Sequence, residues 1–264
     1  MRLSDKMPEG KIRRASKMAA RRKISREAKP EANPKHSEET EVKLRIADRQ
    51  ALLRQLAHLG ASYHGRVHET NTLYDTPDGA LRREDKMLRV RVERPAERPG
   101  YRMPHSAKAT SLSRGTSEAL LTFKGPVRPE GRGKRRGEAR YKIREEREVS
   151  VADAAVLARI LEALGLRPSF RYEKYRSTYR LGGLAGVTLD LDETPIGDFL
   201  EAEGSRAAID RSATLLGYRP ADYVTKSYGQ LFLDQARRTG KVGALRRRRI
   251  AGAGAGDMLF PIKR

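Results

Sequence analysis

The chain has 264 residues, of which 38% are apolar and 34% charged, enough for one large or two small folded domains. It has no cysteine, which excludes disulfides and thiolate metal sites, and no apolar run long enough to span a membrane. Its net charge of +22 lies almost entirely in residues 1–36, 94–138 and 236–264, so the rest of the chain is near neutral.

Residues 1–36 contain 12 Lys/Arg against 4 Asp/Glu and show no apolar periodicity, which predicts a disordered basic tail. Such a tail either keeps the protein soluble or makes a weak contact with nucleic acid or another anionic surface. Because the N-terminus lacks the apolar segment of a secretory signal, a cytoplasmic location is expected.

The first predicted strand, residues 38–46, alternates charged and apolar side chains. Glu39, Glu41 and Lys43 share one face, and Val42 and Leu44 point to the other. Two carboxylates at this spacing suit a hard cation such as Mg²⁺ or Mn²⁺, and the lysine suits a phosphate beside it. A solvated strand face is the alternative explanation of so short a pattern. The return of charged alternation in later strands favours a binding site.

The chain then alternates between strands, helices and two long basic loops. Further strands are predicted over residues 66–75, 86–93, 119–125 and 139–151, and around 172–176, 188–192 and 200–203. Helices are predicted over about 205–216 and 222–236, basic loops over 94–118 and 127–138, and a second disordered basic tail over 236–264. One folded domain is therefore expected over residues 37–235.

Two segments repeat the same order of features. After the first strand, Asp48 is placed to cap a leucine-rich helix that ends at Leu59-Gly60. After the strand over residues 139–151, Asp153 caps a similar helix that ends at Leu164-Gly165. The offset of 105 residues between the two aspartates predicts an internal duplication and a pseudo-symmetric body.

Each predicted strand has one apolar and one charged face, which fits either an open sheet or a closed barrel. In a barrel, the apolar faces lie under helices and the charged faces line a lumen. The charges sort into acidic and basic strands instead of mixing as solvent faces do. The acidic pairs are Glu39/Glu41, Asp190/Asp192 and Glu201/Glu203, and the basic groups are Arg89/Arg91, Lys124, Lys142/Arg144 and Lys174/Arg176. Such a set suits a polyanion and its accompanying metal, which favours the closed barrel.

Several motifs, taken in order, resemble those of the CYTH family, the triphosphate tunnel metalloenzymes, which include class IV adenylyl cyclases and thiamine triphosphatases. They are Glu39-Thr40-Glu41-Val42-Lys43, Leu73-Tyr74-Asp75-Thr76-Pro77, Leu88-Arg89-Val90-Arg91, Leu121-Thr122-Phe123-Lys124-Gly125-Pro126, Leu191-Asp192-Glu193-Thr194-Pro195-Ile196-Gly197, Phe199-Leu200-Glu201-Ala202-Glu203 and Ser227-Tyr228. The resemblance implies an α+β fold, an eight-stranded antiparallel β-barrel that forms the triphosphate tunnel, with flanking helices.

The resemblance also implies roles for particular residues. The metal carboxylates, for Mg²⁺ or Mn²⁺, are Glu39, Glu41, Asp192, Glu201 and Glu203. The triphosphate-binding residues are Lys43, Arg89, Arg91, Lys124, Arg144, Lys174 and Arg176. Glu39, Glu41 and Lys43 are thereby expected at the catalytic centre. The two basic loops and both tails depart from the family pattern, so the substrate stays open among ATP, thiamine triphosphate and tripolyphosphate.

Three functions fit these residues. The first is a metal-dependent triphosphatase, in which water attacks a phosphoryl group and charge stabilisation supplies most of the catalysis. The second is a class IV adenylate cyclase, in which the ribose 3′-hydroxyl attacks the α-phosphorus and releases pyrophosphate. The third is a non-catalytic module that binds polyphosphate or nucleic acid. The triphosphatase is preferred because hydrolysis needs no dedicated adenine pocket, and the third function would leave the clustered carboxylates without a purpose.

Overall fold

The computed structural model describes residues 37–97, 118–128 and 140–240. The N-terminal tail, most of both basic loops and the tail from residue 241 onward lie outside this part of the chain. The described residues form nine strands. They are β1 (Ser37–Ile46), β2 (Ser62–Asp75), β3 (Met87–Pro95), β4 (Glu118–Lys124), β5 (Lys142–Val151), β6 (Arg167–Arg180), β7 (Val187–Thr194), β8 (Gly197–Gly204) and β9 (Tyr223–Val224).

Eight of these strands close into one antiparallel barrel. The order around it is β5-β4-β3-β2-β6-β7-β8-β1, and β1 pairs with β5 to complete the circle. The short β9 adds to β1 from outside the barrel. The prediction of a closed eight-stranded antiparallel barrel is therefore confirmed, and the open sheet is wrong.

Five α-helices accompany the barrel in the described residues. They are α1 (Arg49–His58), α2 (Ala80–Arg83), α3 (Ala154–Ala163), α4 (Arg206–Leu215) and α5 (Tyr228–Arg238). None of them is long and apolar enough to cross a membrane. The Asp48 and Asp153 carboxylates accept backbone N–H groups at the starts of α1 and α3, as their positions in the sequence predict.

The main hydrophobic core lies outside the barrel wall. Val42 and Leu44 on β1 are fully buried and pack in the same cluster as Leu56 of α1 and Ile209 of α4. Burial of this outward apolar face leaves the alternate side chains of β1 pointing into the lumen, because successive residues of a strand project to opposite sides. The helices therefore determine which face of β1 becomes the inner wall.

The strand pairing shows the duplication directly. In the β1–β5 pair, Glu39 lies opposite Arg144, and in the β2–β6 pair, Glu69 lies opposite Lys174. Both pairs are separated by 105 residues, the offset that the two capping aspartates predict. A pseudo-twofold axis through these two pairs exchanges β1–β4 with β5–β8 and preserves the strand order. The two halves of the barrel are thus related elements of one closed wall.

The closing helix and several boundaries differ from the prediction. Instead of one helix over residues 222–236, a 3₁₀ turn at Pro220–Asp222 and strand β9 precede α5, whose N-cap is Ser227. Helix α5 ends at Arg238, two residues beyond the predicted end of the closing helix. Strand β2 begins at Ser62 instead of residue 66, and β5 at Lys142 instead of residue 139.

Helix α2 is not predicted from the sequence, although Asp75, which binds the start of this helix, belongs to one of the motifs. The Asp75 carboxylate accepts the backbone N–H groups of Thr76, Leu81 and Arg82 at 2.8–3.2 Å. This buried side chain therefore fixes the connection between β2 and β3. Its place in the Leu73-Tyr74-Asp75-Thr76-Pro77 motif has a structural explanation that requires no ligand.

Candidate functional site in the barrel lumen

The charged faces of strands far apart in sequence meet inside the barrel. Most of the charged side chains involved are buried, and most of them form ion pairs with a neighbouring or opposite strand. The buried charged residues of the inner wall are Glu39, Glu41, Lys43, Glu69, Arg89, Lys124, Lys142, Arg144, Lys174, Asp190 and Asp192. Burial of so many charges is tolerated only because they compensate one another.

The first group of contacts surrounds the two carboxylates of β1. Lys124 on β4 donates to Glu39 at 2.6 Å. Lys142 on β5 lies 2.7 Å from Glu41, and Lys43 lies 3.0 Å from the same carboxylate. The structure thus brings the predicted Glu39, Glu41, Lys43 and Lys124 together, and adds Lys142, a basic residue that the resemblance leaves without a role.

The two β1 carboxyl groups differ in protonation. Burial and the neighbouring Glu41 raise the pKa of Glu39 to about 8, although Lys124 opposes this shift. Burial also disfavours ionisation of Glu41, but Lys142 and Lys43 overcome it and hold the pKa of Glu41 well below its usual value. The pair therefore carries one firmly ionised carboxylate and one carboxyl group that holds its proton near neutral pH.

A second group of contacts is centred on Arg176 and Lys174 of β6. Asp192 accepts from Arg176 at 2.6 and 2.7 Å and from Lys174 at 2.9 Å. Arg176 also pairs with Asp190 at 3.0 Å and with Glu201. Asp192 and Glu201 thus lie in the lumen as predicted, but both form ion pairs with lysine or arginine side chains.

The predicted Arg89 and Arg91 project from β3 into the same lumen. Arg89 donates to the Thr122 hydroxyl at 3.3 Å, and Thr122 donates to Glu148 at 2.6 Å. Arg91 pairs with Glu148 and with Glu93, each at 3.0 Å. These contacts keep the two guanidinium groups beside each other on the wall that faces β5.

The predicted Arg144 lies in a different environment from the other cations. Its guanidinium donates to the backbone oxygen of Asp85 at 3.0 Å and lies 3.7 Å from that residue's carboxylate. Asp85 is the only described non-glycine residue with a positive φ, 55°, and its carboxylate also accepts the Val127 N–H. Arg144 therefore joins β5 to the β2–β3 connection at the end of the barrel.

Sequence reasoning missed Glu69, which the structure places in the lumen. Glu69 is fully buried, and its carboxylate lies 3.4 Å from Lys174 and 3.5 Å from Arg176. Although burial opposes ionisation, these cations lower the pKa of Glu69 to about 2, so it is a permanent anion. The signal was weak because both faces of β2 are polar around this position, where His68 and Thr70 flank it.

The carboxylates offer the oxygen ligands that Mg²⁺ and Mn²⁺ prefer, but they are not drawn together as a finished metal site. No group of three His, Cys, Asp or Glu side chains in residues 37–97, 118–128 and 140–240 is arranged to hold a metal. Glu203 lies opposite Glu41 in the β1–β8 pair and has no ion-pair partner among these residues. Although Glu203 is exposed on its strand, partial desolvation and the nearby Glu41 and Glu146 raise the pKa of Glu203 to about 7.

These protonation states are compatible with binding of a divalent cation. Glu39 and Glu203 are the carboxyl groups that hold protons most readily, and both shifts include repulsion from Glu41. A cation with a charge of two would relieve that repulsion and replace the protons. The donor set therefore fits a hard divalent ion by charge and by ligand chemistry.

Comparison with known proteins gives a consistent family and fold. The family model of the CYTH domain matches residues 37–228. A solved protein from Vibrio parahaemolyticus, named as a candidate adenylate cyclase, is 19% identical, with 74% of this chain and 98% of that chain covered and a TM-score of 0.54. A protein from Pyrococcus horikoshii is 23% identical, with 75% and 99% covered and a TM-score of 0.57. No curated protein matches the chain. At these identities the solved structures establish the fold alone.

Proposed function

Since the chain belongs to the CYTH domain family, we propose that it is a divalent-metal-dependent enzyme that hydrolyses a triphosphate inside the barrel. Proteins of this family are typically enzymes, bind triphosphates and generally depend on divalent metals. The observation that carries the proposal is the concentration of buried lysine and arginine side chains around carboxylates within one lumen. A simple polyanion-binding surface would have no use for buried carboxylates beside its cations.

The cations would hold the phosphate chain by exchanging partners. Lys43, Lys124, Lys174 and Arg176 each contact at least one carboxylate, so the lumen is already compensated before a ligand enters. Phosphate oxygens can replace these carboxylates because both accept charge-assisted hydrogen bonds from ammonium and guanidinium groups. Arg89 and Arg91, whose forks suit phosphate oxygens, would complete the cradle, and Arg144 would support it from the barrel end.

The β1 carboxylates, with Glu203 opposite them, would hold the metal. Of the remaining acidic residues predicted as ligands, Glu201 lies next to Lys43 at 2.9 Å and Asp192 is held by Lys174 and Arg176. We propose that these two act chiefly by holding the phosphate-binding cations. When bound, a divalent ion supplies Lewis-acid polarisation of a phosphoryl oxygen.

Hydrolysis is preferred to cyclisation because of what the lumen wall contains. In the described part of the chain, the groups that face the lumen are mainly charged or small polar side chains suited to phosphates. Cyclisation of ATP additionally requires the ribose 3′-hydroxyl to be held in line with the α-phosphorus. Class IV adenylate cyclase activity, with cyclic AMP and pyrophosphate as products, remains the alternative that product analysis distinguishes.

The test is product analysis with purified full-length protein. Tripolyphosphate, ATP and thiamine triphosphate are supplied separately with Mg²⁺ or Mn²⁺, and phosphate, diphosphate, pyrophosphate and cyclic AMP are quantified. We expect the wild-type protein to release phosphate from at least one triphosphate. The rate of release should fall at least about 100-fold in Glu41→Gln, because the Glu41 carboxylate is both a proposed metal ligand and the partner of two lysines. If cyclic AMP were the main product, the protein would be a cyclase and not a triphosphatase. If no triphosphate were turned over, the proposal that the protein is an enzyme would be wrong.

Glu41→Gln also tests the non-catalytic alternative. If the variant bound tripolyphosphate as tightly as the wild-type protein in the presence of metal, a plain polyanion-binding module would explain the site better. The matched control is Glu38→Gln, because Glu38 neighbours Glu39 on β1 but is exposed and pairs with Arg128 on the outside at 3.2 Å. This control should leave turnover and binding unchanged.

A further inference from the structure

Tyr228 is the first residue of α5, and its side chain contacts charged residues of the lumen. Ser227 and Gln230 form a capping box that fixes the start of the helix. The Tyr228 ring is buried and packs edge-on against Phe199 at 5.4 Å and near Tyr172 at 6.0 Å. These aromatic contacts explain why a large ring is present, but they make no use of its hydroxyl group.

The hydroxyl of Tyr228 contacts the second group of charges. It donates to the Asp192 carboxylate at 2.7 Å. The same oxygen of Asp192 accepts from Lys174 at 2.9 Å and from Arg176 at 2.6 Å. The fully buried Asp192 carboxylate thus accepts one hydrogen bond from the uncharged Tyr228 hydroxyl. Its other partners are the side chains of Lys174 and Arg176, which are proposed to bind phosphate.

The face of the ring reaches the same set of cations. The Lys43 ammonium lies 5.2 Å from the ring centre and the Lys174 ammonium 5.4 Å from it. Both distances allow cation–π attraction, which is strengthened in a site removed from water. One residue of α5 therefore touches Lys43 and Lys174 directly and Arg176 through Asp192.

We infer that Tyr228 is a positioning residue that sets the geometry of Lys43, Lys174 and Arg176 for the phosphate chain. The inference rests on the proposed function, because it concerns the same lumen. The hydrogen bond fixes the orientation of the Asp192 carboxylate, and that carboxylate fixes the guanidinium fork of Arg176. Without the hydroxyl, Asp192 keeps its bonds to Arg176 and Lys174 but is held less firmly, and binding must then include a larger cost of ordering the cations.

Tyr228 is suited to this role because it keeps its proton. Burial, together with the neighbouring Asp192 and Glu201 carboxylates, raises the pKa of the Tyr228 phenol well above its usual value. The group is therefore protonated, and able to donate to Asp192, at neutral pH.

The test compares Tyr228→Phe with the wild-type protein by titration calorimetry with inorganic tripolyphosphate and by steady-state kinetics on the best substrate. Tyr228→Phe keeps the ring and removes only the hydrogen bond. We expect about tenfold weaker tripolyphosphate binding and a similar rise in KM, with kcat changed less than about threefold, because positioning of binding groups affects substrate and transition state alike. Tyr228→Leu, which also removes the cation–π contacts, should weaken binding further.

Two controls separate positioning from a general loss of structure. Tyr74→Phe removes the hydroxyl of another buried tyrosine, which packs under α3 in a separate hydrophobic cluster, and should leave binding and KM unchanged. In a double-mutant cycle, Tyr228→Phe should cost little once Asp192→Ala is present, because alanine removes the acceptor of the one hydrogen bond through which the two side chains act.

The outcomes are distinct. Unchanged affinity and KM in Tyr228→Phe, with wild-type binding intact, would overturn the inference and leave the proposed function standing. Additive losses in the cycle would also overturn it, because Tyr228 would then act independently of Asp192. A wild-type protein that neither binds nor hydrolyses tripolyphosphate or another triphosphate would overturn both.

Discussion

Glu39 and Glu41 show how neighbours decide the chemistry of identical side chains. Both are buried on the same face of β1, two residues apart. Glu41 has two lysines within 3.0 Å, whereas Glu39 relies on Lys124, which also serves Glu146 at 3.1 Å. The shared lysine compensates Glu39 incompletely, so the proton remains on it to a higher pH.

The first prediction concerns the pH dependence of stability in metal-free protein. Because the pKa of Glu39 is raised to about 8 from 4.5, the folded state binds this proton more tightly than the unfolded state does. Its contribution to stability is therefore complete below about pH 4.5 and is lost as pH rises through about 8. Glu39→Gln, which cannot ionise, should lose less stability between pH 6 and 9, with a difference of about 2 kcal/mol.

Urea unfolding at pH 6 and pH 9 measures this difference. The exposed Glu38→Gln variant serves as the control and should follow the wild-type protein at both pH values. A pH dependence in Glu39→Gln equal to that of the wild-type protein would show that Glu39 ionises in the fold without cost.

The second prediction compares two arginines of the lumen. Arg176→Met leaves Asp190, Asp192 and Glu201 without their shared cation, and should lower the free energy of unfolding by about 3–5 kcal/mol. Arg91→Met releases only Glu93 and the more accessible Glu148, and should cost about 1 kcal/mol. Urea unfolding at neutral pH gives both values, and equal costs would contradict the central place assigned to Arg176.

At the scale of the secondary-structure elements, alternation predicted the lumen residues wherever one face of a strand is apolar. On β1 the apolar Val42 and Leu44 leave no doubt about which face is polar, and on β3 Arg89 and Arg91 stand out in the same way. On β2 both faces are polar around Glu69, so alternation carried no information there. The 3₁₀ turn and two-residue β9 before α5 were too short to leave a periodic pattern.

The third prediction uses neighbouring residues of α3. Leu161 is 6% exposed and packs with Tyr74 and Val90, whereas the neighbouring Ile160 is 50% exposed. Leu161→Ala should therefore cost about 2–4 kcal/mol of unfolding free energy, and Ile160→Ala under about 1 kcal/mol. Comparable losses from the two variants in urea unfolding would mean that the outer face of α3 is covered in solution.

At the scale of the whole molecule, the duplication explains how so many charges share one interior. The pseudo-twofold axis places Glu39 opposite Arg144 and Glu69 opposite Lys174, so the equivalent positions next to the axis carry opposite charges. Opposite charges facing each other across strand pairs stabilise the barrel in the absence of ligand. The same arrangement provides lysine and arginine side chains that can bind a phosphate chain by exchanging their carboxylate partners for phosphate oxygens.

The offset of 105 residues and the charged faces were readable from the sequence, but the contacts were not. Lys124 meets Glu39 across 85 residues of chain, and Arg176 meets Glu201 across 25. Such pairings depend on strand order and register, which are set by the turns and the outer core and leave no local signal. The lumen could thus be predicted as a set of residues, but not as a network of ion pairs.

The proposed function requires these residues to form one interior that receives a triphosphate. A crystal structure of the protein with inorganic tripolyphosphate tests this most directly. We expect the phosphate chain inside the barrel, with oxygens within hydrogen-bonding distance of Lys43, Arg89, Lys124 and Lys174. Tripolyphosphate bound on the outer surface, with the lumen ion pairs undisturbed, would contradict it.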